Sequence, residues 1–340
     1  MDLSNISLID IDYCEPDQFL STDELENKLS KVYENLKLPF GRVEMQTGIK
    51  SRGIYHSKKP SDIATRAAQN LFNNNKIKKE QIDLLIHASV CRDFLEPSTA
   101  SVIHSHLELR PDCLSFDLSN ACLGVMNAIN VASQMILSGS IENALIVTGE
   151  NGTPLIDKTI ETLLNDQTLT RKSIKKYFAN FTIGSAGVAL VISKKQAGFP
   201  HFMDSISLSD TKAHTLCQGD GGMDGLVMET DSEALLLRGV ALAKSNWNRF
   251  CDISRKKDWD HLICHQVGIH HQIHLYNELQ MDREKDYSSF QTYGNTGSAA
   301  LPLTLALAWK KDNIFNAGDE IALLGIGSGL HTIMTGLKWN

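Results

Sequence analysis

The chain has 340 residues, 42% hydrophobic and 21% charged, enough apolar material for one large or two modest cores. Its net charge of −7 offers no general basic face for nucleic acid. No apolar run approaches the ~20 residues that cross a bilayer, and the start MDLSNISLIDID lacks the basic and apolar regions of a secretion signal. A cytoplasmic protein is therefore expected, with its seven cysteines as thiols rather than disulfides.

In chain order, Ser61 is placed to cap a helix running to Asn70, with Ile63, Ala64, Ala67, Ala68 and Leu71 as its apolar stripe. QIDLLIHASV (81–90) has the pattern of a buried strand, and 115–119 is a second strand. A helix from Leu123 to Leu137, poor in charge, should end at Gly139. ENALIVTGE (142–150) and GSAGVALVI (184–192) are further strands. The segment 150–183 between them has an amphipathic, helical pattern, and so long an excursion reads as a cap over a site.

The pattern then repeats. DWDHLICHQV (258–267) matches 81–90, SFQTYGNTGSAALPL (289–303) matches SFDLSNACLGVMNAI (115–129), DEIALLGIG (319–327) matches 142–150, and GSGLHTIMT (327–335) matches 184–192. Each half reads as strand, helix, strand, helix, strand, strand. A tandem α/β duplication follows, with halves 1–195 and 196–340 and mostly parallel sheets covered by helices.

Cys122 stands where a strand ends and a helix begins. Free N–H groups and the helix dipole there favour a thiolate and can hold an oxyanion, although burial is the commoner fate of a cysteine. In the second copy the corresponding turns hold Asn295 and His265-Gln266. Sheets facing one cleft with their carboxyl ends would bring Cys122, His265 and Asn295 together.

Five motifs, TGIKSRGI (47–54), NAC (120–122), HQV (265–267), YGNTGSAALP (293–302) and GIGSGL (325–330), resemble the thiolase superfamily and its ketoacyl-ACP synthase III group. SVCRDFLEPSTAS (89–101), NACLG and LLGIGSGL are similar to the OleA-type enzymes within it. The resemblance implies a thiolase-like α/β fold of two pseudo-symmetric halves layered α-β-α-β-α. It implies an acyltransferase in which Cys122 accepts the acyl group, and His265 and Asn295 donate to the second thioester's carbonyl. The backbone N–H groups of Cys122 and Ser328 would form the oxyanion hole, and Glu96 would reach the neighbouring site of a homodimer. Long-chain acyl-CoA, or an acyl carrier protein, would be substrate, with no cofactor or metal.

Glu96 separates two mechanisms. Claisen condensation of two acyl thioesters must remove an α-proton and needs a base, whereas a 3-oxoacyl-ACP synthase III frees its carbanion from malonyl-ACP by losing carbon dioxide. The structural alternative for Glu96 is a cap on the helix beginning there. A catalytically inactive partner subunit is the reading from a different class.

Other groupings read as structural. The histidines of HLICHQVGIHHQIH (261–274) suggest a solvated helix rather than a metal site, and Cys264 a buried filler. GDGGMDG (219–225) reads as a flexible turn. RKSIKK (171–176) reads as a solvated face, with attraction of a CoA phosphate or an acidic carrier protein as the alternative.

Overall fold

The computed structural model describes residues 1–222, 225–265 and 267–340. The first half runs β1 (Ile6–Cys14), β2 (Gln18–Ser21), α1 (Thr22–Lys28), α2 (Ser30–Leu36), α3 (Arg42–Thr47), β3 (Ser51–Ile54), α4 (Pro60–Asn73), β4 (Leu84–Ala88), α5 (Thr99–Leu107), β5 (Leu114–Leu118), α6 (Gly124–Leu137), β6 (Asn143–Glu150), α7 (Thr153–Asn165) and β7 (Ala186–Lys194). The second runs β8 (His201–Ser209), β9 (Cys217–Gly222), β10 (Gly225–Thr230), α8 (Ser232–Ser254), β11 (His261–Cys264), α9 (Ile269–Leu279), α10 (Phe290–Tyr293), α11 (Ala300–Ala306), β12 (Glu320–Gly327) and β13 (His331–Lys338).

The large sheet has the order β11-β12-β13-β8-β1-β7-β6-β4-β5. Within it β4-β6-β7-β1 and β11-β12-β13-β8 repeat one internal order, and the two runs meet where β1 lies beside β8, with Ser7 paired to His201. The duplication extends to single hydrogen bonds. Asp83 accepts from the N–H of Asn143 at the start of β6 (3.0 Å), and Asp260 accepts from that of Glu320 at the start of β12 (2.9 Å).

Two expectations need correction. Among the described strands parallel pairing is confined to β4–β5, β4–β6 and β11–β12, and β1–β7, β1–β8, β6–β7, β13–β8 and β12–β13 are antiparallel, the last pair being joined by a tight turn that permits nothing else. The strand expected near 289–293 is the short helix α10, and a single bridge between Leu262 and Asp286 stands where a fifth strand would pair. There the Asp286 carboxylate gathers the side chains of Gln272, Tyr276 and Ser288. The first half thus keeps β5 as an open sheet edge, and the second has no counterpart.

Helices α6 and α11, apolar and buried, share one core cluster with the inner faces of both half-sheets, including Leu84, Ile146, Leu323 and Ile333. Outside, α4 and α5 cover the first half-sheet, and α8 and α9 the second. This is the α-β-α-β-α layering. The stripe on α4 is buried as expected, but Lys59 rather than Ser61 occupies the cap, with Pro60 in the first turn. Ser61 instead hydrogen-bonds Asp93 through both its hydroxyl and its N–H.

The 150–183 segment packs α7 and the 3-10 turns Ser173–Thr182 against α2 around Tyr33, Ile160, Leu163 and Phe181. Its end touches the second half, where Ile183 bridges to Asn295. No described helix is long and apolar enough to cross a membrane.

Candidate active site

After β5 the chain turns sharply. Leu123 and Gly124 donate N–H bonds to the carbonyls of Asn120 (3.0 Å) and Ala121 (3.3 Å), and α6 starts. Ala121 has φ 47°, a left-handed conformation that a residue with a Cβ adopts only when its surroundings impose it. The imposing contacts come from the second half. Ser298 accepts from the Val125 N–H (3.1 Å) and donates to the Ala88 carbonyl (2.9 Å), which fixes the start of α6 to the end of β4. A Cβ on Gly327 would lie 3.5 Å from the Cys122 nitrogen, and one on Gly325 only 2.5 Å from Leu123. The GIGSG edge therefore lies against the backbone of the Cys122 turn, and Ser328 follows in the turn between β12 and β13.

The electrostatics overturn one expectation. Cys122 is a partly exposed residue, yet the protein around its thiol pushes it up to about 12, with Glu150 and Cys217 adding to the rise. The backbone amide at Cys122 acts in the opposite sense and is outweighed. Desolvation acts on the whole thiolate charge, while the amide offers only a partial charge.

His265 follows β11 directly, and its N–H bonds the Leu324 carbonyl (2.8 Å), one residue before Gly325. It is 4% exposed, and burial beside His271 lowers it to about 3, so it is a neutral imidazole with a single N–H to donate. Asn295 is also buried, its Oδ1 accepting from the Gly297 N–H (3.1 Å), which leaves its amide nitrogen as the available donor. Its backbone is splinted to the 150–183 segment by bonds to Thr182 (2.7 Å) and Gly184 (2.9 Å). Gln266, part of the HQV motif, lies outside the described residues.

Glu96 is exposed and does not cap α5. Ser98 does, accepting from the Ser101 N–H, while Asp117 accepts from Thr99 (2.9 Å) and Ala100 (2.7 Å). The loop is pinned on its other side too, where the Asp93 carboxylate accepts from Ser61 and the Asp93 N–H donates to Thr99 Oγ1. Between these pins stand Phe94, Leu95 and Glu96, with Leu95 98% exposed.

Sequence reasoning missed Glu150. This buried carboxylate ends β6 and accepts from the N–H groups of Val90 (2.9 Å), Cys91 (3.1 Å) and Ser298 (3.1 Å). The only signal was an acid closing an otherwise apolar strand. A Cβ on Gly297 would come within 3.2 Å of the same carboxylate, and its charge disfavours the Cys122 thiolate.

The remaining groupings divide. Cys264 is buried against the Tyr276 hydroxyl (2.9 Å), as expected. On α9, His270 is exposed, but His271 shares a cavity of about 10 Å³ with His265 and is lowered to about 4 by burial, so this helix is not uniformly solvated. In GDGGMDG the pairing of Gly222 with Gly225 makes a β9–β10 hairpin rather than a flexible turn, and residues 223 and 224 lie outside the described residues. Of RKSIKK, Lys172, Lys175 and Lys176 are exposed, yet with Arg42 they line a cleft of about 750 Å³. Leu216 and Gln218 also line it, and Cys217 between them is close enough to Cys122 to act on its charge.

This arrangement has close relatives. The family models described as 3-oxoacyl-[acyl-carrier-protein (ACP)] synthase III and its C-terminal part match residues 116–211 and 254–339, and that of FAE1/type III polyketide synthase-like proteins matches 37–158. The acyl-CoA:acyl-CoA alkyltransferase of Shewanella oneidensis is 32% identical over 94% of this chain and 95% of its own length. That of Xanthomonas campestris pv. campestris is 31% identical over 98% and 99%. The crystal structure of a Xanthomonas campestris OleA variant with a glutamate replaced by alanine superposes with a TM-score of 0.94 at 30% identity, covering 100% of this chain and 99% of that one. Companion structures carry a replaced histidine or cysteine. The chain belongs to the acyl-CoA:acyl-CoA alkyltransferase (OleA) family of ketoacyl-ACP synthase III-like acyltransferases with the thiolase-like fold.

Proposed function

We propose that the protein joins two acyl thioesters, of the long-chain acyl-CoA class, by a non-decarboxylative Claisen condensation. The Cys122 sulfur attacks the first thioester carbonyl as its proton passes to the departing carrier sulfur, so the carrier leaves as a thiol and an acyl-cysteine remains. The N–H groups of Cys122 and Ser328 hold the oxyanion. The second thioester's carbonyl oxygen accepts from the neutral His265 and from the Asn295 amide, which makes its α-proton acidic enough for a carboxylate to remove. The resulting enolate carbon attacks the acyl-cysteine, the C–S bond breaks, and a β-keto thioester leaves.

The base in this reading is Glu96 of the partner subunit, and the observation that carries it is Glu96's own position. It is exposed, caps nothing, makes no hydrogen bond or ion pair among the described residues, and sits on a loop pinned at both ends. The residue types replaced in the solved Xanthomonas campestris variants, glutamate, histidine and cysteine, match this assignment. A homodimer formed along the open β5 edge, near the exposed Leu95 and Leu114, is part of the proposal. So is a boundary between residues 195 and 196, with the two halves supplying complementary parts of one site. The proposal puts the phosphate-bearing arm of the carrier in the cleft whose lining holds Arg42, Lys172 and Lys175 together with the acids Glu229, Asp231 and Glu233, Glu229 being paired with Lys176.

Mass spectrometry of the protein incubated with acyl-CoA, with and without malonyl-CoA, tests this reading. Glu96→Ala should still acquire the acyl group but yield no condensation product. Full condensation by that variant, or carbon dioxide released from malonyl-CoA in step with product, would decide for the decarboxylative 3-oxoacyl-ACP synthase III reaction.

A further inference from the structure

We propose that Glu150 is a positioning residue that locks the Cys122 turn, the Asn295 turn and the Glu96 loop into one constellation and sets the charge facing the nucleophile. The inference rests on the condensation reading above and adds to it a residue from outside the proposed reacting set.

The geometry is that of a hub. One oxygen of Glu150 receives the N–H of Val90 and that of Ser298, and the other receives the N–H of Cys91. Val90 and Cys91 open the segment that leads from β4 to Glu96. Ser298 follows Asn295 in the same turn, and its hydroxyl holds the start of α6 immediately beyond Cys122. A single carboxylate therefore touches the loop of the proposed base and the turn of the carbonyl donor, and its field reaches the thiol.

The fold by itself does not ask for an acid here. Strands β6 and β12 have eight residues each and begin at equivalent positions, marked by the shared Asp83 and Asp260 bonds, so the counterpart of Glu150 is Gly327. One copy ends its strand with a carboxylate and the other with no side chain at all. Burying a carboxylate is costly unless it is fully hydrogen-bonded, and this one has recruited three backbone amides that no secondary structure uses. Among the described residues the titratable groups around the thiol are Glu150 on β6 and Cys217 on β9, with Cys91 beside Glu150 and the neutral His265 beyond β12. Enclosure of the site and the Glu150 carboxylate act together on Cys122 in favour of the thiol form.

The decisive variant is Glu150→Gln, which keeps the shape, removes the charge and turns an NH2 group toward a backbone N–H. The first readout is the alkylation of Cys122 by iodoacetamide across pH, with the modified residue identified by mass spectrometry. The variant should react about tenfold faster than wild type at mildly alkaline pH, as expected for losing a nearby like charge. The second readout compares acyl-enzyme formation with condensation, and condensation should fall about tenfold further than acylation as the Asn295 turn and the Glu96 loop lose their common anchor. An unchanged alkylation profile, or equal losses in both steps, would overturn the proposal. If Glu150→Gln does not fold by circular dichroism, Glu150→Asp decides: it keeps the charge but shortens the reach to the Val90, Cys91 and Ser298 amides, so condensation should fall about tenfold further than acylation, and equal losses would overturn the proposal. Alkylation needs no acyl substrate, so a wild-type chain that never acylates would sink the condensation reading while leaving the charge on Cys122 measurable.

Discussion

At Cys122 two influences of opposite sign meet. Amide dipoles at the start of α6 favour the thiolate, and enclosure together with Glu150 opposes it and prevails. Together these influences favour the thiol form of Cys122, and if it is the acyl acceptor of the proposed reaction, Cys122→Ser should abolish the acyl-enzyme mass expected of wild type with acyl-CoA. The histidines make a different prediction. An unfolded histidine takes up a proton near pH 6.5, whereas burial lowers folded His271 to about 4, so between these values the unfolded chain binds more protons. The stability due to a neutral His271 is complete above pH 6.5 and is lost as pH falls toward 4. Urea midpoints should decline over that interval, and His271→Leu should decline less steeply than wild type.

Elements hold the site by close approach. Helix α4 presses on β6 at Gly149, where an added Cβ would lie 2.1 Å from the Pro60 carbonyl oxygen, part of the backbone. Gly149→Ala must push the helix off the sheet, and thermal melts should show a loss of about 1–3 kcal/mol. The start of α5 depends on Asp117, which receives two of its free N–H groups. Asp117→Ala should cost about 0.5–2 kcal/mol, as the loss of a helix cap does. It should also reduce condensation more than acylation, because the loop carrying Glu96 ends at that cap.

Across the whole molecule, duplication explains both the symmetry and its breaks. Two copies of one strand order face each other across α6 and α11, and each contributes different chemistry to the turns at the ends of its strands. The first copy also retains β5, whose unpaired edge and nearby exposed Leu95 and Leu114 form a surface that water tolerates poorly. If the proposed homodimer forms along this edge, Leu95→Asp should shift it toward monomer in sedimentation or size-exclusion measurements. If Glu96 works across that surface, the same substitution should abolish condensation while acylation persists.

By itself the sequence determined the repeat, the buried stripe of α4, the span of α6 and the residue types at 122, 265 and 295. These depend on periodicity and on local turn chemistry, both written in neighbouring residues. It did not determine the pairing directions, the loss of a strand near 289, the raised pKa of Cys122 or the hub at Glu150. Pairing direction depends on how connections cross the sheet, and the side chains that meet the Asp286 carboxylate come from α9, a separate element. A pKa is a sum over everything near the group in space, and the partners of Glu150 lie about 60 residues upstream and about 150 downstream. Only folding makes neighbours of residues so far apart, and so only the tertiary structure decided what surrounds the cysteine.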